Sequence, residues 1–95
     1  MKKGFETGPW VITKAVVDRM KEDKNFQNFV KLCIGRYLRQ DWGDLSDGDR
    51  EANDLAALGG DERIFASYKY KDDEKVWIIT EWDRSATTIL FPEDY

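Results

Sequence analysis

The stretch DERIFASYKYKDDEKVWIITEWDRSATTILFPEDY (residues 61–95) decides the fold. Ile64, Ala66, Tyr68 and Tyr70 alternate with Arg63, Ser67, Lys69 and Lys71, a period of about two that predicts a half-buried strand. Lys71-Asp72-Asp73-Glu74 reads as a turn. Val76-Trp77-Ile78-Ile79 is apolar on both faces, as suits a central strand. Thr87-Thr88-Ile89-Leu90-Phe91 is rich in β-branched residues and is ended by Pro92, which predicts a third strand. The joining segments are short, so neighbouring strands must run antiparallel. Trp82-Asp83-Arg84-Ser85-Ala86 then forms the second hairpin connection. Asp83 and Ser85 supply local turn hydrogen bonds there, and Arg84 can pair with Glu81 or Asp83. Trp82 either closes one end of the core or meets a partner.

Upstream of residue 61 the period is helical. A short extended piece is expected from Trp10 to Ile12, after Gly8-Pro9. Thr13 suits the N-cap of a first helix running to about Asp23, with Val16 and Met20 on one side. Asn25 suits the cap of a second helix, whose stripe is Phe26, Phe29, Val30, Cys33, Ile34, Tyr37 and Leu38. Asp41-Trp42-Gly43-Asp44 breaks the periodicity and reads as a loop. Ser46 with Asp49 is a variant capping box for a third helix, in which Ala52, Leu55 and Ala56 are expected to face inward. Gly59-Gly60 stops it. The expectation is an α+β fold over residues 1–95 as a single domain: three N-terminal helices packed on one face of a three-stranded antiparallel meander.

The 95 residues suffice for one core but not two. With 41% hydrophobic and 14% aromatic residues the chain has ample area to bury, so it should fold rather than stay disordered. The opening MKKGFETGPW has two lysines but no apolar run behind them, so no secretory leader is expected. No apolar run approaches the ~20 residues of a membrane span. A lone cysteine, Cys33, permits no intrachain disulfide. A soluble, cytoplasmic protein that does not engage a membrane is therefore expected.

Most catalytic constellations are missing. Without histidine there is no Ser-His or Cys-His pair. Cys33 falls on an apolar stripe, where a thiol is inert. No glycine-rich phosphate loop is present, and one cysteine cannot build a closed zinc site. Asp47, Asp49 and Glu51 alternate like the first ligands of a calcium loop. Ala52 then stands where the sharp turn needs glycine, and Leu58 where a bidentate Glu is needed. Neither a metal nor a cofactor is expected, and no enzymatic activity.

Charge is distributed unevenly. Residues 1–40 hold nine bases against four acids, residues 41–62 one base against eight acids, and residues 63–95 five bases against seven acids. Such a split sets up a field that can steer a partner. Lys31, Arg36 and Arg39 share the outer face of the second helix and suggest nucleic acid, but interleaved acids and a pI near 4.8 make direct binding unlikely. The acidic segment can instead imitate phosphates in an arginine-rich groove.

DWGDL (41–45), the D-x-x-x-N-D stretch at 49–54 and above all WIITEWDRSATTILFPEDY (77–95) carry a likeness. Across about residues 10–95 the chain resembles a group of small proteins from bacterial plasmids, phages and other mobile elements, loosely labelled plasmid-related or restriction-associated. The final nineteen residues resemble that group's W-I-I-T-E-x-D-R-S-x-T-T-x-L-x-P-x-x-Y signature, with Trp82 where a small residue is expected. The resemblance implies a mobile-element setting and hands over no catalytic residues. With the acidic segment it suggests an anti-defence, anti-CRISPR-like inhibitor that binds a host nucleic-acid-handling defence complex. Its expected contacts are Asp41, Trp42, Asp44, Asp47, Asp49, Glu51 and Asp54, with Glu81, Trp82, Asp83 and Arg84 as a second patch. The alternative is an accessory protein of plasmid or phage DNA maintenance that touches nucleic acid through its basic helices. An exposed strand edge or aromatic can also support a homodimer.

Overall fold

The computed structural model describes residues 4–60 and 62–95, so the expectations for Lys2, Lys3 and Asp61 lie outside the described residues. The elements run β1 (Trp10–Ile12), α1 (Lys14–Glu22), α2 (Lys24–Leu38), α3 (Asp47–Gly59), β2 (Ile64–Lys69), β3 (Lys75–Thr80), β4 (Thr87–Leu90) and a 3-10 turn (Pro92–Asp94). The fold is α+β, as expected, but the sheet is neither three-stranded nor purely antiparallel. Its order is β1-β4-β3-β2, with β1 parallel to β4 and the other pairs antiparallel. A strand therefore precedes the helices. The extended piece at Trp10 was legible; its pairing with a strand 77 positions away, Trp10 opposite Thr87, carries no local signal.

Helix starts follow their capping chemistry. The Thr13 hydroxyl accepts from the amide of Val16 at 3.4 Å, and Ser46 accepts from that of Asp49 at 3.2 Å. Asp23, not Asn25, caps α2: its carboxylate accepts from the amides of Asn25 and Phe26 at 2.9 and 3.3 Å. A charged acceptor at the positive end of a helix outcompetes the neutral amide two residues on. Gly60, at φ 81°, closes α3.

Strand parity puts Ile64, Ala66, Tyr68, Val76, Ile78, Thr80, Thr87 and Ile89 on one face, all buried, where they join Val16 of α1 with Phe26, Val30, Cys33 and Tyr37 of α2 in one core. Phe29, Ile34 and Leu38 of the expected stripe are only half-buried or exposed, so Phe26 rather than Phe29 is the fully enclosed phenylalanine of α2. The opposite face carries Phe65, Trp77, Ile79 and Thr88; Phe65 and Trp77 meet edge to face at 4.9 Å. Trp77 also meets Tyr95 of the C-terminal turn at 6.0 Å.

Three hydroxyls cross the core in line. Tyr37 Oη lies 2.6 Å from Thr80 Oγ1, which lies 2.7 Å from Thr87 Oγ1, which donates to the carbonyl of Thr7 at 2.6 Å. The terminal carbonyl can only accept, so every proton in the chain points the same way and Tyr37 must donate. Burial raises the Tyr37 pKa, which keeps that proton in place. By contrast the buried Tyr70 hydroxyl has no hydrogen-bond partner, although its ring packs on Phe26 and Phe29. Removing a bonded hydroxyl and removing an unbonded one should therefore differ in sign. Tyr37→Phe is expected to lower stability in urea melts by about 1–3 kcal/mol, and Tyr70→Phe to leave it unchanged or raise it.

Candidate functional site

The loop between α2 and α3 is built before it is exposed. Arg36 donates to both oxygens of Asp41 at 2.8 and 3.2 Å and lies over the Tyr68 ring at 5.0 Å. The guanidinium holds the Asp41 carboxyl below its usual pKa range, with the Gly43 amide assisting. Tyr68 donates to the Asp41 carbonyl at 2.7 Å. Trp42 is then driven inward: it is 1% exposed, stacks edge-on against Phe5 and Tyr37, and donates from Nε1 to Asp54 at 2.9 Å. Gly43, at φ 81°, runs beside β2 so closely that a Cβ would lie 2.1 Å from the Ser67 carbonyl oxygen. Asp44 donates its amide to that same oxygen at 2.7 Å, and its carboxylate accepts from the Lys69 amide at 3.0 Å.

These contacts close the outer edge of the sheet. In β2 the peptide groups of Phe65, Ser67 and Lys69 point away from β3. Ser67 donates to the Trp42 carbonyl at 3.2 Å and accepts from Asp44, while Lys69 donates to Asp44. Phe65 is served on both sides by one side chain: Asn53 of α3 accepts from its amide at 3.2 Å and donates to its carbonyl at 2.6 Å. An edge strand left bare would invite pairing with another chain.

This arrangement fixes the orientation of α3. Asn53 and Ala56 are buried, whereas Ala52 and Leu55, both expected inward, are exposed. The helix is turned about 100° (one residue) from the phase its leucines suggest. Spacings of four, four and three then place Asp47, Glu51, Leu55 and Leu58 along one outward stripe. The buried position that sequence reasoning missed is Asn53. Its signal was present as a polar residue in phase with Ala56 and Ala57, the pattern of a side chain that bonds backbone rather than fills space.

The expected contact residues therefore divide. Trp42 belongs to the core and is no surface contact, and Asp41, Asp44 and Asp54 each hold a hydrogen bond that the fold uses. Asp47 pairs with Arg50, while Asp49 and Glu51 are exposed with no bonded side-chain partner among the described residues. Among the basic residues of α2, Lys31 and Arg39 are exposed but Arg36 is committed to Asp41. Burial pushes the Cys33 thiol up to about 12, which removes its nucleophilic form at neutral pH.

The hairpin 81–86 also resolves. Arg84 pairs with neither Glu81 nor Asp83; it donates to backbone carbonyls of Ala56 at 2.8 Å, Glu62 at 2.7 Å, Glu81 at 3.0 Å and Trp82 at 3.3 Å. Planar donors in a fork can satisfy several carbonyls at once, including that of Ala56 in the last turn of α3, which also accepts from the Gly60 amide. Asp83 accepts from the Ser85 amide at 3.0 Å, the turn bond expected of it. Gly8, at φ 63°, passes beneath this loop, where a Cβ would lie 2.3 Å from the Arg84 carbonyl oxygen. Trp82 is left 64% exposed. Arg84 is thus a tie, not a contact.

Among the described residues no group of three His, Cys, Asp or Glu side chains could hold a metal ion, and no helix is long and apolar enough to cross a membrane. Neither a protein-family model, nor a curated protein, nor a solved structure matches the chain. The division of the expected contact residues into those that hold the fold and those left to solvent can be tested by stability alone. Arg84→Ala should lower the unfolding free energy by about 1.5–3 kcal/mol, and Glu51→Ala should change it by no more than ~0.5 kcal/mol. Equal effects in guanidinium melts would contradict the assignment.

Proposed function

We propose that the protein acts without catalysis, by binding a basic, nucleic-acid-handling protein of its host through the outward face of α3. The observation that carries this reading is the orientation of that helix. Its polar Asn53 is turned in to close β2, and Asp47, Glu51, Leu55 and Leu58 are turned out. Carboxylates a turn apart on a rigid helix can lie against arginines and lysines that otherwise hold phosphates, forming charge-assisted hydrogen bonds and speeding encounter. Occupancy of such a groove excludes DNA or guide RNA from it, which is the action of an anti-defence, anti-CRISPR-like inhibitor. The mobile-element setting of this reading rests on the resemblance carried by residues 77–95, and its cytoplasmic site of action on the lone Cys33, which suits a reducing compartment. Direct nucleic-acid contact is the weaker reading, because Arg36 is held by Asp41 and stacked on Tyr68 instead of facing outward with Lys31 and Arg39.

Asp54 is unsuited to a charge-reversal test because it accepts from the Trp42 indole. The informative variant is Asp47→Lys with Glu51→Lys, both at solvated positions. Wild type is expected to capture from host lysate a nucleic-acid-handling protein that added DNA or RNA displaces. The double reversal should slow association with it at least ~10-fold at low salt, and less at high salt. Recovery of the same partners at the same rate by both proteins would exclude the acidic-face mechanism.

A further inference from the structure

Leu55 and Leu58 are 62% and 86% exposed, although the helix that bears them has a buried side. Trp82 adds a third large apolar side chain, and its position is set by Arg84. One guanidinium binds the carbonyl of Ala56, within the last turn of α3, and those of Glu62 and Trp82. The Trp82 backbone is thereby fixed next to the C-terminal end of the helix. Beside Leu55 lies a depression of about 310 Å³ bounded by Ala52, Ala56, Gly59 and Glu62. The outward stripe is thus divided along its length, with carboxylates in its first half and apolar side chains in its second.

We propose that this apolar end is the anchor of the interface, and that the segment it receives is a basic amphipathic helix of the partner protein. The inference rests on the reading of α3 as the binding face and adds the shape and composition of what binds there. Leu55, Leu58 and Trp82 receive the apolar side chains of that helix. Glu51 and Asp47, about 6 and 12 Å along the axis from Leu55, face its lysines or arginines one and two turns away. A large aromatic with aliphatic neighbours, rimmed by charge, is the composition that concentrates binding energy at a protein interface. Charge argues against a second copy of this chain as the occupant. The last turn of α3 has no basic residue, and Arg84 is committed to carbonyls. Antiparallel pairing of two α3 helices would set Glu51 and Asp47 opposite a C-terminal end that holds Glu62, where Arg84 is committed to carbonyls and the Arg63 guanidinium is turned to the Tyr95 hydroxyl. Parallel pairing would set carboxylate against carboxylate.

The test uses the full chain and two fluorescein-labelled peptides of about 18 residues, identical in leucine and lysine content, one at helical period and one scrambled. The periodic peptide should bind saturably, gain helicity, and bind at least about tenfold tighter than the scramble. Leu58→Ser with Trp82→Ser, both exposed and therefore tolerated by the fold, should weaken it at least about tenfold at any salt. Asp47→Lys with Glu51→Lys should weaken it chiefly at low salt. Equal binding of both peptides, indifferent to Leu58→Ser and Trp82→Ser, would overturn the apolar anchor and leave the acidic face standing. Loss on the apolar substitutions without loss on charge reversal would overturn the acidic face and, with it, a basic partner. No binding of either peptide, or a dimer in sedimentation that Leu58→Ser dissolves, would overturn the proposal.

Discussion

The outer edge of β2 is closed by the residues that lead into α3 and by α3 itself, and the rest of the exposed surface depends on that closure. A peptide edge needs donors and acceptors in register, which only a backbone or an amide side chain supplies. Trp42 and Asp44 supply the backbone, the Asp44 carboxylate serves one further amide, and Asn53 serves both polar groups of Phe65. Because Asn53 must face the strand, the leucines two and five residues later cannot. Packing alone would have turned α3 the other way. The exposed Leu55 and Leu58 are thus a consequence of how the sheet ends, and they lie beside carboxylates because the capped start of the helix is acidic.

The same economy links the other end of the sheet. β1 is only three residues long and holds its place through β4, through the Thr7 carbonyl that ends the line of hydroxyls from Tyr37, and through Gly8 beneath the hairpin. The hairpin in turn reaches α3 through Arg84. A cluster of charge between two apolar strands is in this protein chiefly architectural: Asp83 makes the turn and Arg84 ties it down. Trp82 at its tip is a large apolar side chain left to solvent.

Local signals carried well from sequence to structure. The change of period at residue 61 located the sheet, and the hydroxyl caps of α1 and α3 and the glycine stop of α3 follow from chemistry within a few residues. What was illegible is what depends on partners distant in the chain. The parallel pairing of β1 with β4 has no periodic signature. The phase of α3 was misread because Leu55 outranks Asn53 on any hydrophobic scale, yet the unpaired peptide of Phe65 selects the amide. The same distance effect concealed that Trp42 is core and that Asp44 and Asp54 work within the fold. Counting carboxylates in residues 41–62 gave the sign of the surface there but not which of them the fold itself uses, Asp41, Asp44 and Asp54. The apolar half of the stripe was hidden by the same error of phase.

The account stands on the closure of β2, and amide hydrogen exchange reads that closure directly. The amides of Phe65, Ser67 and Lys69 face away from the sheet, yet each donates to an acceptor outside it. They are expected to exchange within about tenfold of the amides of central β3, with Asn53→Ala releasing Phe65 first. Exchange of all three at the rate of open solvent-facing peptides in the wild-type protein would contradict it, and would leave α3 without the constraint that turns its leucines outward.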